Sequence, residues 1–475
     1  MTNSVNHQSQ VGAESLGPEL ASTGLLTDHY ELTMLQGSLR SGAAHRRAIF
    51  EVFARHLPHG RRYGVVAGTG RLLEAIERFR FSPADLEFLG GAGIVDPPTL
   101  AFLESYRFGG SVWGYSEGDC YFPGSPIVVV EGTFAEAVLL ETVTLSILNH
   151  DCAMASAASR MVTAAGDRPL IEMGSRRTHE WAAVASARAA YIAGFVSTSN
   201  LRARFDYAVP SAGTSAHAFT LVHDSERHAF ATQVEALGKA TTLLVDTYDV
   251  PRAVRTAIEV AGQDLGAVRI DSGDLPVLAR QVRAELDALG AVNTRIILTG
   301  DLDEYSIAAL GAVPVDGYGV GTSLVTGSGA PTAALVYKLV ARSADSDAHS
   351  ELVPVAKRSV GKPGRGGRKW AVRHLDTSGT AVNERVSLSP PDPGPRDREL
   401  LMPLVSRGEI VGREDVTVAR DRHRAALAEL PPYALQLSRG YPAIPTVFET
   451  LDGSESSSLS HQLAVIDWPG RVRPG

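Results

Sequence analysis

An α/β fold built on a parallel sheet is predicted by three features of the chain. From about Leu170, short apolar runs alternate with amphipathic runs of helical length. Chemically distinctive residues recur just after the apolar runs: Arg176 and Arg177, Asp246, Asp271 to Asp274, and Thr322. The alternation is also bounded, since a mixed α+β segment precedes it and it stops after Leu339. Strands alternating with helices imply a parallel sheet, closed as a barrel or open. In both arrangements ligands gather at the carboxyl ends of the strands, where those residues fall.

Taken in order, the chain starts with a polar stretch to about Thr23, read as a flexible tail (1–24). Thr27 or Asp28 caps a helix continued by Leu32, Leu35 and Leu39 on one face. Strands are expected at Ala48–Phe53, Tyr63–Gly68, Ser111–Tyr115 and Pro126–Gly132, with an amphipathic helix at Leu72–Phe79. These make an N-terminal α+β unit, 25–150. Ala135–Ala165, rich in Ala, Leu and Met, is expected to be one long buried packing helix.

The catalytic unit is expected at 151–340. Its strands are Pro169–Met173, Leu243–Asp246, Ala267–Ile270, Thr294–Leu298 and Gly317–Gly319. The helices between and after them are His179–Ala193, Pro251–Ala261, Pro276–Leu289 and Glu304–Leu310. A segment at 341–450 then contains the basic turn Gly361–Arg368, a strand at Trp370–Leu375, a proline-rich linker at Ser387–Asp397 and a helix at Arg420–Leu430. The turn is basic and glycine-rich, as a mobile lid would be. The last stretch, 451–475, reads as a loose end.

Composition narrows the function. The chain has 475 residues, which suggests two or three domains. A net charge of −8 argues against a nucleic-acid binder. Two cysteines, Cys120 and Cys152, cannot build a disulfide framework or a Cys-rich zinc site. No apolar run approaches a membrane span and no signal peptide opens the chain, so a cytoplasmic location is expected.

Five stretches carry candidate chemistry. Gly213-Thr214-Ser215-Ala216-His217 surrounds one imidazole with small residues and two hydroxyls. An imidazole titrates near neutral pH and can accept a phosphoryl group. Glu172-Met173-Gly174-Ser175-Arg176-Arg177 ends a strand on two arginines, which form either an anion clamp at the mouth of the sheet or a solvated pair on a loop. Arg269-Ile270-Asp271-Ser272-Gly273-Asp274 puts Arg269 and Asp271 on one face. Asp271 and Asp274 suit ribose hydroxyls or water-bridged Mg²⁺, although Asp274 also fits a plain helix cap. Tyr318-Gly319-Val320-Gly321-Thr322-Ser323 offers backbone N–H groups and hydroxyls to a phosphate. Asp246, ending its strand, is positioned to orient His217.

Together, and in this order, these pieces resemble nicotinate phosphoribosyltransferase. Thr27-Asp28-His29-Tyr30-Glu31-Leu32-Thr33-Met34, Gly194-Phe195-Val196-Ser197-Thr198-Ser199-Asn200 and Val336-Tyr337-Lys338-Leu339 extend the match, which covers roughly Leu25 to Arg373. The resemblance implies a type II phosphoribosyltransferase fold: an irregular α/β barrel, with an α+β domain made from N-terminal and returning C-terminal chain. It implies a homodimer with a shared active site. It also implies ATP-coupled transfer of phosphoribosyl from phosphoribosyl pyrophosphate (PRPP) to nicotinate, with Mg²⁺ accompanying PRPP and ATP. The products are nicotinate mononucleotide, pyrophosphate, ADP and phosphate, in the first step of NAD salvage from nicotinate.

Residue by residue, the resemblance makes His217 the phosphorylated histidine. Tyr30, Arg176, Thr214 and Arg269 become nicotinate contacts, with Tyr30 supplied by the partner subunit. Thr322, with Gly319 and Gly321, becomes a PRPP contact, and Asp271 falls in the ribose and metal region. Met173 stands where relatives often have Phe, and Ser199 where the nicotinamide-using relative has an aspartate that would repel a carboxylate. Competing readings are action on nicotinamide or quinolinate, a non-catalytic pyridine-nucleotide sensor, and an unrelated barrel enzyme.

Overall fold

The computed structural model describes residues 22–347, 349–357 and 365–449, and the strand at 455–457. Its centre is a six-stranded, wholly parallel sheet. In chain order the strands are β1 (Leu170–Glu172), β2 (Ser197–Thr198), β3 (Thr242–Leu244), β4 (Ala267–Ile270), β5 (Arg295–Leu298) and β6 (Gly317–Val320). They lie side by side as β2-β1-β6-β5-β4-β3. That is the circular order of a barrel opened between β2 and β3. A single parallel bridge, Thr198 to Ser211, extends the β2 side of the opening. The chain between β2 and β3 carries His217, so the loop singled out from sequence belongs to the seam of an irregular barrel.

Helices pack on the sheet for readable reasons. Val250–Ala261 is capped by Asp249, whose carboxylate accepts from Arg252 N–H, and buries Ala253, Val254, Ala257, Ile258 and Ala261 along one stripe. Asp274 caps Leu275–Ala288 by accepting from Val277 N–H, which is the plain role foreseen for it. Glu180–Ile192 follows β1 with His179 as its cap.

The second unit is a seven-stranded antiparallel sheet drawn from distant parts of the chain. Its order is Leu352–Pro354, Leu335–Ser343, Arg47–Ala54, Val128–Thr133, Ser111–Gly114, Met402–Ser406, Glu409–Ile410. N-terminal strands are thus sandwiched by returning C-terminal ones. A further five-stranded sheet holds Asp397–Glu399, Trp370–Leu375, Ala381–Ser387, Thr446–Glu449 and Glu455–Ser457.

Several expectations need correction. The strand expected at Tyr63–Gly68 pairs only at Gly64–Val65, after which Val66 N–H turns to Asp119 carbonyl. The long helix is two, Phe134–Val138 and Glu141–Ala165, separated at Leu139–Leu140; a Thr133–Glu136 capping box starts the first. The second is buried on nearly all sides, as a packing helix should be. Thr23, assigned to the tail, is buried and donates to the Ala75 carbonyl. Residues 361–364 of the basic turn lie outside the described residues, and the other half packs against two rings. Arg365 lies 4.0 Å from the Phe448 ring centre, and Arg368 lies 4.1 Å from that of Trp370. Lys369 Nζ meets Glu51 at 2.6 Å in the interior. The terminal stretch, apart from 455–457, lies outside the described residues. Among those described, no helix is long and apolar enough to cross a membrane.

One buried group ties the C-terminal helix Val416–Glu429 to the core and gives stability a pH dependence. His423 is wholly buried, with Nδ1 at 2.9 Å from Gly118 carbonyl and Nε2 at 3.0 Å from Ser159 Oγ. Burial pushes its pKa down from 6.5 to about 4. Between those values the unfolded chain binds a proton that the fold excludes, so stability falls as pH drops through that window. The expected loss is on the order of 3 kcal/mol near pH 4. Denaturant midpoints measured from pH 7 to 4 should show this slope, and His423→Gln should flatten it; an equal slope in the variant would assign it elsewhere.

Candidate active site

The carboxyl ends of β1 to β6 share one face, and the candidate residues from sequence other than Tyr30 come from the ends of those strands or from the segments that follow them. Arg269, near the end of β4, faces the mouth and is mostly buried. It uses all three guanidinium nitrogens. Nε donates to Thr299 Oγ1 at 2.9 Å, one terminal nitrogen to Thr214 Oγ1 at 2.8 Å, and the other to Asp271 Oδ1 at 2.7 Å. The nitrogen on Thr214 also reaches the Ser215 carbonyl at 3.3 Å. One planar fork therefore joins β4, the residue after β5, and the loop that carries His217.

His217 stands at the start of the short helix His217–Leu221. Its Nδ1 lies 3.2 Å from Thr247 Oγ1. Its Nε2 faces two carboxylates, Asp246 Oδ1 at 3.8 Å and Asp271 Oδ2 at 4.0 Å. Asp246 is almost completely buried and is fixed through its other oxygen. That Oδ2 accepts from Asp271 N–H at 2.9 Å and from Ser272 Oγ at 2.6 Å. Its Oδ1 is buried without a hydrogen-bond partner. A buried, unsatisfied carboxylate oxygen is costly, and one aimed at an imidazole is a mark of a working site. Burial alone would raise the Asp271 pKa, but hydrogen bonds from Thr299 and Arg269 and the Arg269 charge hold it below its ordinary value.

The β6 end joins the same cluster through close packing. A Cβ on Gly319 would lie 2.6 Å from Thr299 Cγ2 and 2.7 Å from Met173 Sδ. Only glycine lets these side chains meet there. Gly321 precedes the short helix Thr322–Val325, so Thr322 sits at a helix start at the mouth. On the neighbouring strand, Glu172 ends β1 fully buried. It accepts hydrogen bonds from the Thr198 hydroxyl of β2 and from Gly174 N–H. Burial raises its pKa, and those two bonds only partly offset the rise. Arg176 follows in the turn that Glu172 holds. It is exposed and has no hydrogen bond or ion pair through its side chain among the described residues.

Tyr30 lies elsewhere. It is 44% exposed, in the first turn of helix His29–Ser41, and its hydroxyl lies near the Glu141 carboxylate beside the seven-stranded sheet. The barrel mouth and Tyr30 are thus separate features of one chain. Sequence reading missed Thr247 and Thr299, which hold His217 and the Arg269–Asp271 pair, and gave Glu172 no role. The available signal was position: each is at, or just after, the carboxyl end of a barrel strand.

Residues 25–149 match the model of the nicotinate phosphoribosyltransferase N-terminal domain. A nicotinate phosphoribosyltransferase of Mycobacterium tuberculosis is 58% identical over 433 residues, spanning 89% of this chain and 94% of the relative. The chain belongs to the nicotinate phosphoribosyltransferase family. A Bacillus subtilis nicotinate phosphoribosyltransferase is 38% identical over 68% of each chain. The crystal structure of human nicotinic acid phosphoribosyltransferase superposes with a TM-score of 0.75 at 25% identity, covering 93% of this chain and 100% of that one. As a member of this enzyme family, the chain is an enzyme of pyridine-nucleotide biosynthesis and salvage.

The role of Glu172 can be tested directly. Glu172→Gln keeps the shape but cannot accept both bonds, so the turn bearing Arg176 should loosen. The KM for nicotinate is expected to rise about 5- to 20-fold, or roughly 1–2 kcal/mol, with little change in the KM for PRPP. Steady-state kinetics with each substrate varied would show it; an unchanged KM for nicotinate would leave Glu172 a purely structural strut.

Proposed function

We propose that the barrel mouth joins nicotinate to PRPP, giving nicotinate mononucleotide and pyrophosphate, with ATP hydrolysis coupled through a phosphohistidine at His217. The observation that carries this is the arrangement around Arg269. A single guanidinium ties the His217 loop to Asp271, and two carboxylates face the imidazole. Nicotinate carries a carboxylate, which suits Arg176, Arg269 and Thr214. Its ring nitrogen attacks C1 of PRPP as pyrophosphate leaves, through a positively charged oxocarbenium-like state. That nitrogen has no proton to lose, so no general base is required. His217 is therefore free to act as a nucleophile toward the γ-phosphorus of ATP, releasing ADP and later phosphate. Asp246 orients the imidazole, and Thr322 with the Gly319–Gly321 turn receives PRPP phosphate.

Mg²⁺ fits this site as an ion carried on substrate phosphates. Among the described residues no group of three or more His, Cys, Asp or Glu side chains is placed to hold a metal. Asp246 Oδ1 lacks a partner and Asp271 is half-buried at the mouth, a donor set suited to an ion that keeps phosphate and water ligands. Bound there, the ion would neutralise charge on the departing pyrophosphate.

A homodimer with a shared site is part of the proposal. Tyr30 is exposed and removed from its own barrel mouth, free to stack on a pyridine ring in a second subunit. Leu201, Phe205, Leu221, Val222 and Tyr248 follow the strand ends around the mouth and are each more than 60% exposed. Such apolar exposure suits coverage by another subunit. A cytoplasmic location goes with this substrate set. The deciding experiment is product formation from nicotinate and PRPP, with and without ATP, alongside nicotinamide and quinolinate as competing bases. Turnover confined to nicotinate and raised by ATP is expected. Equal turnover without ATP would remove the phosphohistidine from the scheme.

A further inference from the structure

A pocket of about 350 Å³ opens far from the barrel mouth, between helix His29–Ser41 and the seven-stranded sheet. Met34, Ala48, Phe134 and Leu339 give it an apolar floor, and Arg46 and Arg342 line it as well. The sheet register explains the space. Ala48 stands directly opposite Arg342 across the antiparallel ladder, so a methyl group faces a long side chain and leaves room above it. Phe134 is held in place by the Phe50 ring, with ring centres 6.0 Å apart.

The charge in this pocket is unbalanced. No carboxylate lines it. Arg342 donates only to the Ser343 carbonyl, and Arg46 has no side-chain hydrogen bond or ion pair among the described residues. Its sequence neighbour Arg47 differs, meeting Glu131 at 2.9 Å. Acidic groups on the loop that reaches Gly42 are occupied with their own backbone: Asp345 accepts from Asp347 N–H and Asp347 from His349 N–H. Two arginines beside an apolar floor give the site one chemical preference: an apolar body bearing a single anionic head.

We infer that this pocket binds a small amphipathic anion, such as an aryl or branched-chain carboxylate or sulfonate, at a site separate from the barrel mouth. The pocket also touches the machinery proposed above. Met34 lies one helical turn after Tyr30, and Leu339 follows Lys338, whose Nζ is 3.9 Å from the Glu141 carboxylate near the Tyr30 hydroxyl. A bound anion would therefore stiffen the helix that presents Tyr30. This second step rests on the proposed role of Tyr30; binding itself does not.

Anilinonaphthalene sulfonate has an aromatic body and one anionic head, and its fluorescence reports entry into apolar sites. Titrated into the full chain, it should give one saturable site per subunit that saturating nicotinate and PRPP do not displace. Arg46→Ser combined with Arg342→Ser should weaken it about tenfold or more, as loss of two charge-assisted contacts requires. Ser41→Phe, a change at the exposed rim, should block it while leaving the thermal midpoint in place. Absence of a saturable site, displacement by nicotinate, or equal affinity in both variants would each overturn the inference. So would a change in oligomeric mass on making Ser41→Phe with no probe bound to the unaltered chain, because the groove would then be a subunit contact. The nicotinate KM, read with and without the probe, tests the link to Tyr30 separately from binding.

Discussion

His217→Ala is expected to abolish stimulation by ATP while leaving slow, ATP-independent transfer from PRPP to nicotinate. In the proposed scheme the imidazole takes no part in bond formation to the pyridine nitrogen, so its loss should not stop the transfer itself. It should stop energy storage. ATP-stimulated kcat/KM should fall by on the order of 10³-fold, about 4 kcal/mol of transition-state stabilisation. Two measurements separate coupling from general damage. Acid-labile phosphate on the protein after incubation with ATP should be absent from the variant. The KM for nicotinate in the ATP-independent reaction should stay close to its original value, because Arg269 and Thr214 remain in place. Asp246 supports this assignment: its buried Oδ1 has no partner except the imidazole at 3.8 Å. Asp246→Asn should accordingly lower phosphorylation more than transfer. A His217→Ala enzyme that ATP still stimulates would remove the histidine from the coupling scheme.

Most of the barrel was legible because its strands are buried on both faces and read as short apolar runs between capped helices. Ala267–Ile270 was located to the residue, and Asp249, Asp274 and His179 cap the helices they precede. The strand Ser197–Thr198 was not seen as a strand, since two polar-tipped residues carry no periodicity; its pairing comes from the neighbouring strand. Helix Glu226–Leu237 was missed for a related reason. Only Ala229, Phe230 and Gln233 are buried in it, too narrow a stripe to stand out. The five-stranded sheet was read only at Trp370–Leu375. Its Arg373 guanidinium lies in the interior between Glu384 on the next strand and Asp119, 254 residues away along the chain, and no local pattern encodes that second contact. At the site, charged and aromatic residues were found by type. Thr247, Thr299 and Glu172 were not, because a threonine or glutamate declares its role only through what it touches.

Replacing Arg269 should cost about as much as removing the histidine, but by a different route. The guanidinium is 11% exposed and each of its nitrogens has an assigned acceptor: Thr299, Thr214 and Asp271. Lysine keeps the charge and loses the fork, since one ammonium cannot span three directions. Arg269→Lys should therefore lower kcat/KM for nicotinate by roughly 10²- to 10³-fold, about 3–4 kcal/mol, despite conserving charge. Arg269→Met goes further and leaves Asp271 without its cation, a penalty of about 3–5 kcal/mol where a buried pair is broken and less at this half-buried position. The sign of the pH effect follows. Asp271 is held below its ordinary pKa in part by Arg269. Removing that charge raises the pKa, so the acid limb of kcat/KM should move to higher pH in Arg269→Met and less so in Arg269→Lys. Phosphorylation of His217 by ATP should survive better than transfer, because Asp246 keeps its own bonds to Ser272 and the Asp271 backbone. A lysine variant with full activity would show that the fork is not used, and the nicotinate carboxylate would then have to be held by Arg176 and the loop hydroxyls alone.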